Sequence, residues 1–228
     1  MSINPGVFIT FEGIEGCGKT TQITRLAALL RQQQLAVVVT REPGGCEIAD
    51  KIRAILLDST NVAITAECEL LLYAAARAQH ISEVVKPALQ QGKIVLCDRF
   101  CDATIAYQGY GRQLDVATIE QLNTYACQGI EPQLTMLLDL DVTTGLTRAR
   151  QRNAHDTMLD EDRFEAESLE FHQRIRDAYL NLSSTQPQRI KVIDASGNQD
   201  SVFDRIVSTI SPILEHRSNQ VSTARAER

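Results

Sequence analysis

The sequence predicts an α/β fold: a five-stranded parallel sheet flanked by helices in three layers. Three observations carry that expectation. Short β-prone runs alternate with helical patterns along the 228-residue chain, which is the signature of βαβ units. The runs Ala36–Thr40 and Ile94–Cys97 are apolar without polar alternation, as strands covered on both faces must be. A glycine-rich turn separates the first strand from the first helix. Composition agrees, with 43% hydrophobic and 23% charged residues, and a chain of this length buries a large core without staples.

Val7–Phe11 is the first strand. A helix from Lys19 to about Gln34 carries Ile23, Leu26, Ala27 and Leu30 near helical spacing. Ala36–Thr40 is the second strand. Arg41–Gly45 is a loop, since Pro43-Gly44-Gly45 breaks any helix there. Glu47–Leu57 is helical, with Ile48, Ile52, Ile55 and Leu56 on one face, and a long helix runs from Ala66 towards Leu89. Ile94–Cys97 is the third strand. Asp115 is an N-cap for a helix to about Cys127. Leu134–Leu140 is the fourth strand, and Thr143–Arg152 is a helix. Asn153–Asp162 has no apolar stripe, and residues 146–164 form a candidate mobile lid. A helix is expected over Arg163–Leu182, with Phe164, Ser168, Phe171, Ile175, Tyr179 and Leu182 on one side. Ile190–Ile193 is the fifth strand and Asp200–Glu215 the last helix. No linker or repeat interrupts the pattern, so one domain is expected over residues 1–215, with a flexible tail at 216–228.

Charge and cysteine usage exclude several classes. The net charge of −6 argues against a general nucleic-acid binder while leaving room for local phosphate sites. No apolar run reaches the roughly 18 residues of a membrane span, and the first residues do not read as a signal peptide. Cys17, Cys46, Cys68, Cys97, Cys101 and Cys127 form no C-x-x-C pair and no zinc spacing. They read as reduced thiols of a cytoplasmic protein.

The chemistry centres on Gly13-Ile14-Glu15-Gly16-Cys17-Gly18-Lys19-Thr20, which fits G-x-x-x-x-G-K-[ST] between a strand and a helix. Glycines let the backbone approach phosphate oxygens, and successive N–H groups at a helix N-terminus form an anion nest. Lys19 then places a positive charge on the terminal phosphates and Thr20 offers a hydroxyl to Mg²⁺. Cys17 is either a small filler of this loop or, beside Lys19, a thiol of lowered pKa.

Asp98 ends the third strand where its carboxylate faces the phosphates, to orient Mg²⁺ or, alternatively, to cap a turn. Asp139 and Asp141 read as structural. Arg148, Arg150 and Arg152 alternate along one segment and cannot share one helix face. Phosphoryl transfer uses such a mobile arginine. The chain has no N-K-x-D guanine reader and no extra lysine early in the loop, which disfavours a GTPase and a partitioning ATPase. Another monophosphate or nucleoside kinase and a catalytically silent nucleotide-binding subunit are the rival readings.

Several blocks then resemble the thymidylate (dTMP) kinase family. They are Phe11-Glu12-Gly13 running through Thr21-Gln22, Thr40-Arg41-Glu42-Pro43-Gly44-Gly45, Tyr73 through His80, Asp98-Arg99-Phe100 with Ala106-Tyr107-Gln108-Gly109, and Asp162-Arg163-Phe164-Glu165 with Phe171 through Leu180. The resemblance covers about residues 7–195. It implies a three-layer P-loop kinase fold with a lid, and transfer of the ATP γ-phosphoryl to dTMP with Mg²⁺. It implies that Gly13 through Thr20 hold ATP, with Lys19 and Asp98 catalytic and Thr20 and Asp98 at the metal. It implies that Glu15 bonds the sugar 3′-hydroxyl, Tyr73 stacks on thymine and Arg77 contacts the base. By the same resemblance Arg99 holds the acceptor phosphate, Thr104 and Gln108 read base and sugar, and Arg41 and Arg53 are phosphate contacts. The loop itself lacks a basic residue before Lys19. That is similar to the bacterial arrangement, in which the lid supplies the catalytic arginine, here Arg150 or Arg152. Ala103 and Phe100 depart from the family's commoner Ser and Tyr or His. A homodimer built on the Ala66–Leu89 helix is also implied, with no nucleic-acid or membrane partner.

Overall fold

The computed structural model describes the backbone of residues 6–155 and 163–226 and the side chains of 6–152 and 163–215. Five strands lie parallel in the order β2-β3-β1-β4-β5. They are β1 (Val7–Glu12), β2 (Val37–Arg41), β3 (Ile94–Asp98), β4 (Leu134–Asp139) and β5 (Ile190–Asp194). β1 is central and buried along its whole length, whereas the edge strands expose Val39 and Val192. Phe11 pairs with Asp98 and Glu12 with Leu137, so the polar tips of three strands meet at one end of the sheet. The chain leaves β1 towards β2 on one side and β4 towards β5 on the other. That reversal opens a crevice at the carboxyl ends of the strands.

The helices are α1 (Lys19–Gln32), α2 (Glu47–Leu57), α3 (Ala66–His80), α4 (Lys86–Gln90), α5 (Cys101–Thr104), α6 (Val116–Cys127), α7 (Val142–His155), α8 (Leu169–Thr185) and α9 (Gln199–Ala226). α1 buries Ile23, Leu26, Ala27 and Leu30 against the sheet, as its periodicity requires. The expected helix from Ala66 to Leu89 is present, but Ile81–Val85 forms a π-helical turn just ahead of Pro87, which has no N–H to donate. Asp115 caps α6 by accepting from Thr118 N at 2.9 Å. A second π-helical stretch, Ile105–Gly111, carries the Ala106-Tyr107-Gln108-Gly109 block into the interior.

Three boundaries differ from the expectation. α8 begins at Leu169 rather than Arg163, because Ser168 sits at its N-cap and accepts from Phe171 N at 3.2 Å. Phe164 lies on the turn before it and still packs against Phe171, with ring centroids 6.5 Å apart. The last helix extends to Ala226, past the expected Glu215 and into the stretch read as a flexible tail. Of the candidate lid at 146–164, α7 takes residues up to His155, and 156–162 lie outside the described residues.

Candidate active site

The loop after β1 crosses the crevice at the N-terminus of α1. Gly16 and Gly18 have φ of 70° and 96°, the left-handed region that glycine occupies without strain. A Cβ on Gly16 would also collide with the Gly145 carbonyl, so the loop is held close to α7. Lys19 is buried and donates to the Gly13 and Ile14 carbonyls, each at 2.9 Å. Its Nζ lies 3.4 Å from Cys17 Sγ. Cys17 is itself buried and fills the space under Gly13. Thr20 Oγ1 donates to Asp98 Oδ2 at 2.9 Å. A hydroxyl and a carboxylate at the tips of α1 and β3 therefore face one point.

From that point a cleft of about 1030 Å³ runs along the sheet end. A single small ligand uses roughly 300–1,000 Å³, so this space is at the upper end for one ligand and holds two of moderate size. The Glu15–Thr20 stretch lines one part, and Arg53, Tyr73, Arg77, Arg99, Thr104 and Gln108 line another. Gly13 and Ile14 stand behind the lining, and Asp98 reaches it through Thr20.

The second part is an ordered polar network. Arg99 has φ 67°, unusual for a residue with a side chain, and this turn after β3 aims its guanidinium into the cleft. Arg99 Nη2 donates to Glu15 Oε1 at 2.9 Å, and Nη1 donates to the Tyr179 hydroxyl at 3.3 Å. Glu15 Oε1 also accepts from Tyr107 at 2.5 Å. Burial opposes the charge of Glu15, but the His172 ring, Arg99 and Lys19 outweigh it and hold the carboxyl well below its ordinary range. Glu12, fully buried at the tip of β1, behaves oppositely. Burial and the charge of Asp102 push its carboxyl up to about 8, against the opposing pull of Arg99, Tyr179 and the Phe100 N–H.

Arg77 is more internal than a base contact alone requires. Only 2% exposed, it donates through Nε to Glu42 at 2.7 Å, through Nη1 to Asn123 at 2.6 Å, and through Nη2 to the Phe100 carbonyl and Thr104 Oγ1. Of its five N–H donors, one on Nη1 remains for a ligand. Thr104 Oγ1 accepts from Arg77 and keeps its O–H to donate, and Gln108 Nε2 donates to Glu69 Oε1 at 2.7 Å. Phe100, where the resemblance leads one to expect a polar side chain, is buried edge-on against Phe8 and under Arg77.

Two expected residues lie elsewhere. Arg41 is at the exposed tip of β2 and pairs with Asp50 at 3.0 Å instead of lining the cleft. Arg150 is exposed and also off the cleft, whereas Arg148 and Arg152, one helical turn apart, line it. Arg152 Nη2 reaches Glu165 at 3.1 Å. Asp139 and Asp141 are structural as expected: Asp139 accepts a bidentate pair from Arg176, and Asp141 caps α7 through Thr144. One wall has no counterpart among the expected residues. Ala195, Gly197 and Asn198 of the β5–α9 connection, with Gln199 and Val202 at the start of α9, close the cleft beside α1. The only sequence signal there is Gly197, which adopts φ 92°.

Comparisons with known proteins agree with this geometry. The family model described as thymidylate kinase matches residues 11–206. The thymidylate kinase of Syntrophotalea carbinolica is 58% identical over 207 residues, covering 91% of this chain and 96% of that protein. That of Trichlorobacter lovleyi is 60% identical over 204 residues, covering 90% and 96%. Among solved structures, the thymidylate kinase of Ehrlichia chaffeensis superposes with a TM-score of 0.73 at 33% identity, over 90% of this chain and 99% of that one.

Proposed function

The chain belongs to the thymidylate kinase family and phosphorylates dTMP, and from that premise we propose how its residues divide the work. ATP is the phosphoryl donor and lies on the Gly13–Thr20 loop, with its base towards the β5–α9 wall. dTMP lies in the second part of the cleft, its ring on Tyr73, its phosphate on Arg99 and Arg53, and its 3′-hydroxyl on Glu15. The observation that carries this division is the single cleft joining the phosphate loop to the Arg99–Glu15–Tyr107 network. The reading keeps residues 1–215 as one kinase domain.

Mg²⁺ suits the donor set. The Thr20 hydroxyl and the Asp98 carboxylate stand 2.9 Å apart, and among the described residues no group of three or more His, Cys, Asp or Glu forms a protein cage. Magnesium takes few carboxylates and keeps waters and phosphate oxygens as ligands. When bound, it neutralises charge on the transferring phosphates.

The attacking oxygen belongs to an already ionised phosphate, so no general base is needed. Arg99 offers a guanidinium fork to the dianion and Lys19, released from its loop carbonyls, offers its charge to the donor. Arg152 and Arg148 face the gap between the two substrates and stabilise the phosphoryl group in transit. Catalysis is thus positioning and electrostatics. A homodimer is also part of the reading: α2 and α3 pack together and expose Ile48, Ile55 and Leu71, each about half. No described helix is long and apolar enough to cross a membrane, and we place the enzyme in the cytoplasm.

A coupled ADP-release assay tests the division, with dTMP compared with dUMP, dCMP, dGMP, AMP and thymidine. Turnover preferring dTMP is expected. Preference for another monophosphate would overturn the roles of Tyr73 and Gln108, and ADP release without an acceptor would overturn the two-substrate cleft.

A further inference from the structure

Gln108 lines the cleft, and its amide is not free to face either way. Its Nε2 donates to Glu69 Oε1 at 2.7 Å. Glu69, on α3, is 1% exposed. Its Oε1 also accepts from Arg112 Nε at 3.3 Å, and its Oε2 accepts from Arg112 Nη2 at 3.4 Å and from Arg163 Nη2. A carboxylate between two guanidinium groups only accepts hydrogen bonds. The side of the amide facing it must therefore be the nitrogen. Gln108 Oε1 has no partner among the described residues and is not among the sealed unpaired atoms, so the acceptor is the atom left for the cleft.

We propose that Glu69 is a positioning residue that sets base selection by fixing the amide of Gln108. This rests on the reading that Gln108 faces the base. The ring of thymine has one N–H donor, at N3, and the rest of its polar edge accepts. Cytosine carries an acceptor at N3. A carbonyl held towards that edge matches thymine and opposes cytosine, and unpaired buried polar groups give large discrimination. Arg163 and Arg112 hold Glu69 in register. Arg163 lies on the arm that leads into α8, and Arg112 Nη1 donates to Glu167 on the same arm at 2.5 Å. The arm leading into α8 and the base reader thus share one carboxylate.

Substituting Glu69→Gln puts an amide where the carboxylate was. Its carbonyl stays at the Oε2 place, where Arg112 Nη2 and Arg163 Nη2 converge, and its NH₂ takes the Oε1 place at the loss of the long Arg112 Nε contact. Its NH₂ then faces Gln108, which rotates to accept and presents its own NH₂ to the base. The experiment compares KM for dTMP with the inhibition constant of dCMP in the wild type, Gln108→Ala, Glu69→Gln and Glu69→Asp. The expected ratio of the two constants collapses at least tenfold in Glu69→Gln, with dCMP binding held or tightened. Weakening of both ligands in proportion, as a scaffold role would give, overturns the proposal. Glu69→Asp keeps the charge for Arg112 and Arg163 but withdraws one methylene from Gln108. It serves if Glu69→Gln does not fold, with an expected fall of threefold or more, and an unchanged ratio there also overturns the proposal. An unchanged ratio in Gln108→Ala instead means that Gln108 does not read the base, which separates failure of the premise from failure of the inference.

Discussion

Arg152 shows how a single side chain is selected by helix geometry. Positions 148, 150 and 152 carry the same residue type, yet only 148 and 152 are a turn apart and face the cleft. Arg152 is itself largely exposed, while its partner Glu165 is mostly buried. Its guanidinium lies on the cleft, where we propose it acts on the phosphoryl group. Arg152→Ala is expected to lower kcat by roughly 100-fold or more, with the dTMP dissociation constant within a few-fold of the wild type. Arg150→Ala is expected to leave both nearly unchanged. Steady-state kinetics with titration of dTMP in the absence of ATP separates the two quantities. Equal losses in kcat and dTMP binding for Arg152→Ala would remove it from the phosphoryl path.

At the scale of elements, most of the fold was readable because burial leaves periodic marks. β1 and β3 read as unbroken apolar runs and are buried on both faces. The start of α8 did not read correctly because Phe164 and Phe171 are seven residues apart, a spacing that continues a helical stripe, while the Ser168 cap interrupts it. The phosphate loop was legible because its glycines and lysine answer a local geometric demand. The β5–α9 wall was not, because it meets the cleft with small and uncharged side chains that many loops share. Arg77 was legible as important, but its internal bonds to Glu42 and Asn123 depend on contacts distant in sequence. The α2–α3 pair leaves an expectation of the same kind. Leu71 is 56% exposed on α3 and Ile48 is 50% exposed on α2, and an interface between two copies of the chain would cover them. Leu71→Asp is expected to shift the species from dimer to monomer in sedimentation equilibrium at micromolar concentration while leaving the far-ultraviolet dichroism intact. A wild-type monomer would remove the dimer reading, and a variant that stays dimeric would move the interface elsewhere.

For the whole molecule, the buried sheet tip makes stability depend on pH in a way composition does not suggest. Glu12 ends the central strand, is fully buried, and binds Phe100 N at 2.7 Å and the Tyr179 hydroxyl at 2.7 Å. Burial first, and then Asp102, raises its carboxyl from the ordinary 4.5 to about 8. The folded protein thus keeps a proton that the unfolded chain loses. Between about pH 4.5 and about pH 8 the folded state binds more protons at this group, so its contribution to stability falls as pH rises. Burial also opposes the charges of Glu15 and Glu42, yet both carboxyls are held low, by His172 and Arg99 in the first case and by Arg77 and His80 in the second. Their contribution is present above the ordinary carboxylate range and lost as pH falls below it. The two effects together place the maximum of stability on the mildly acidic side and a decline through neutrality. One proton's linkage sets that decline at no more than about 1.4 kcal/mol per pH unit. Urea midpoints from pH 5 to 9 measure it, and Glu12→Gln, which cannot ionise, is expected to flatten the slope above pH 5. A slope unchanged in that variant would assign the decline to other groups and leave Glu12 ionised in the fold, sustained by Arg99.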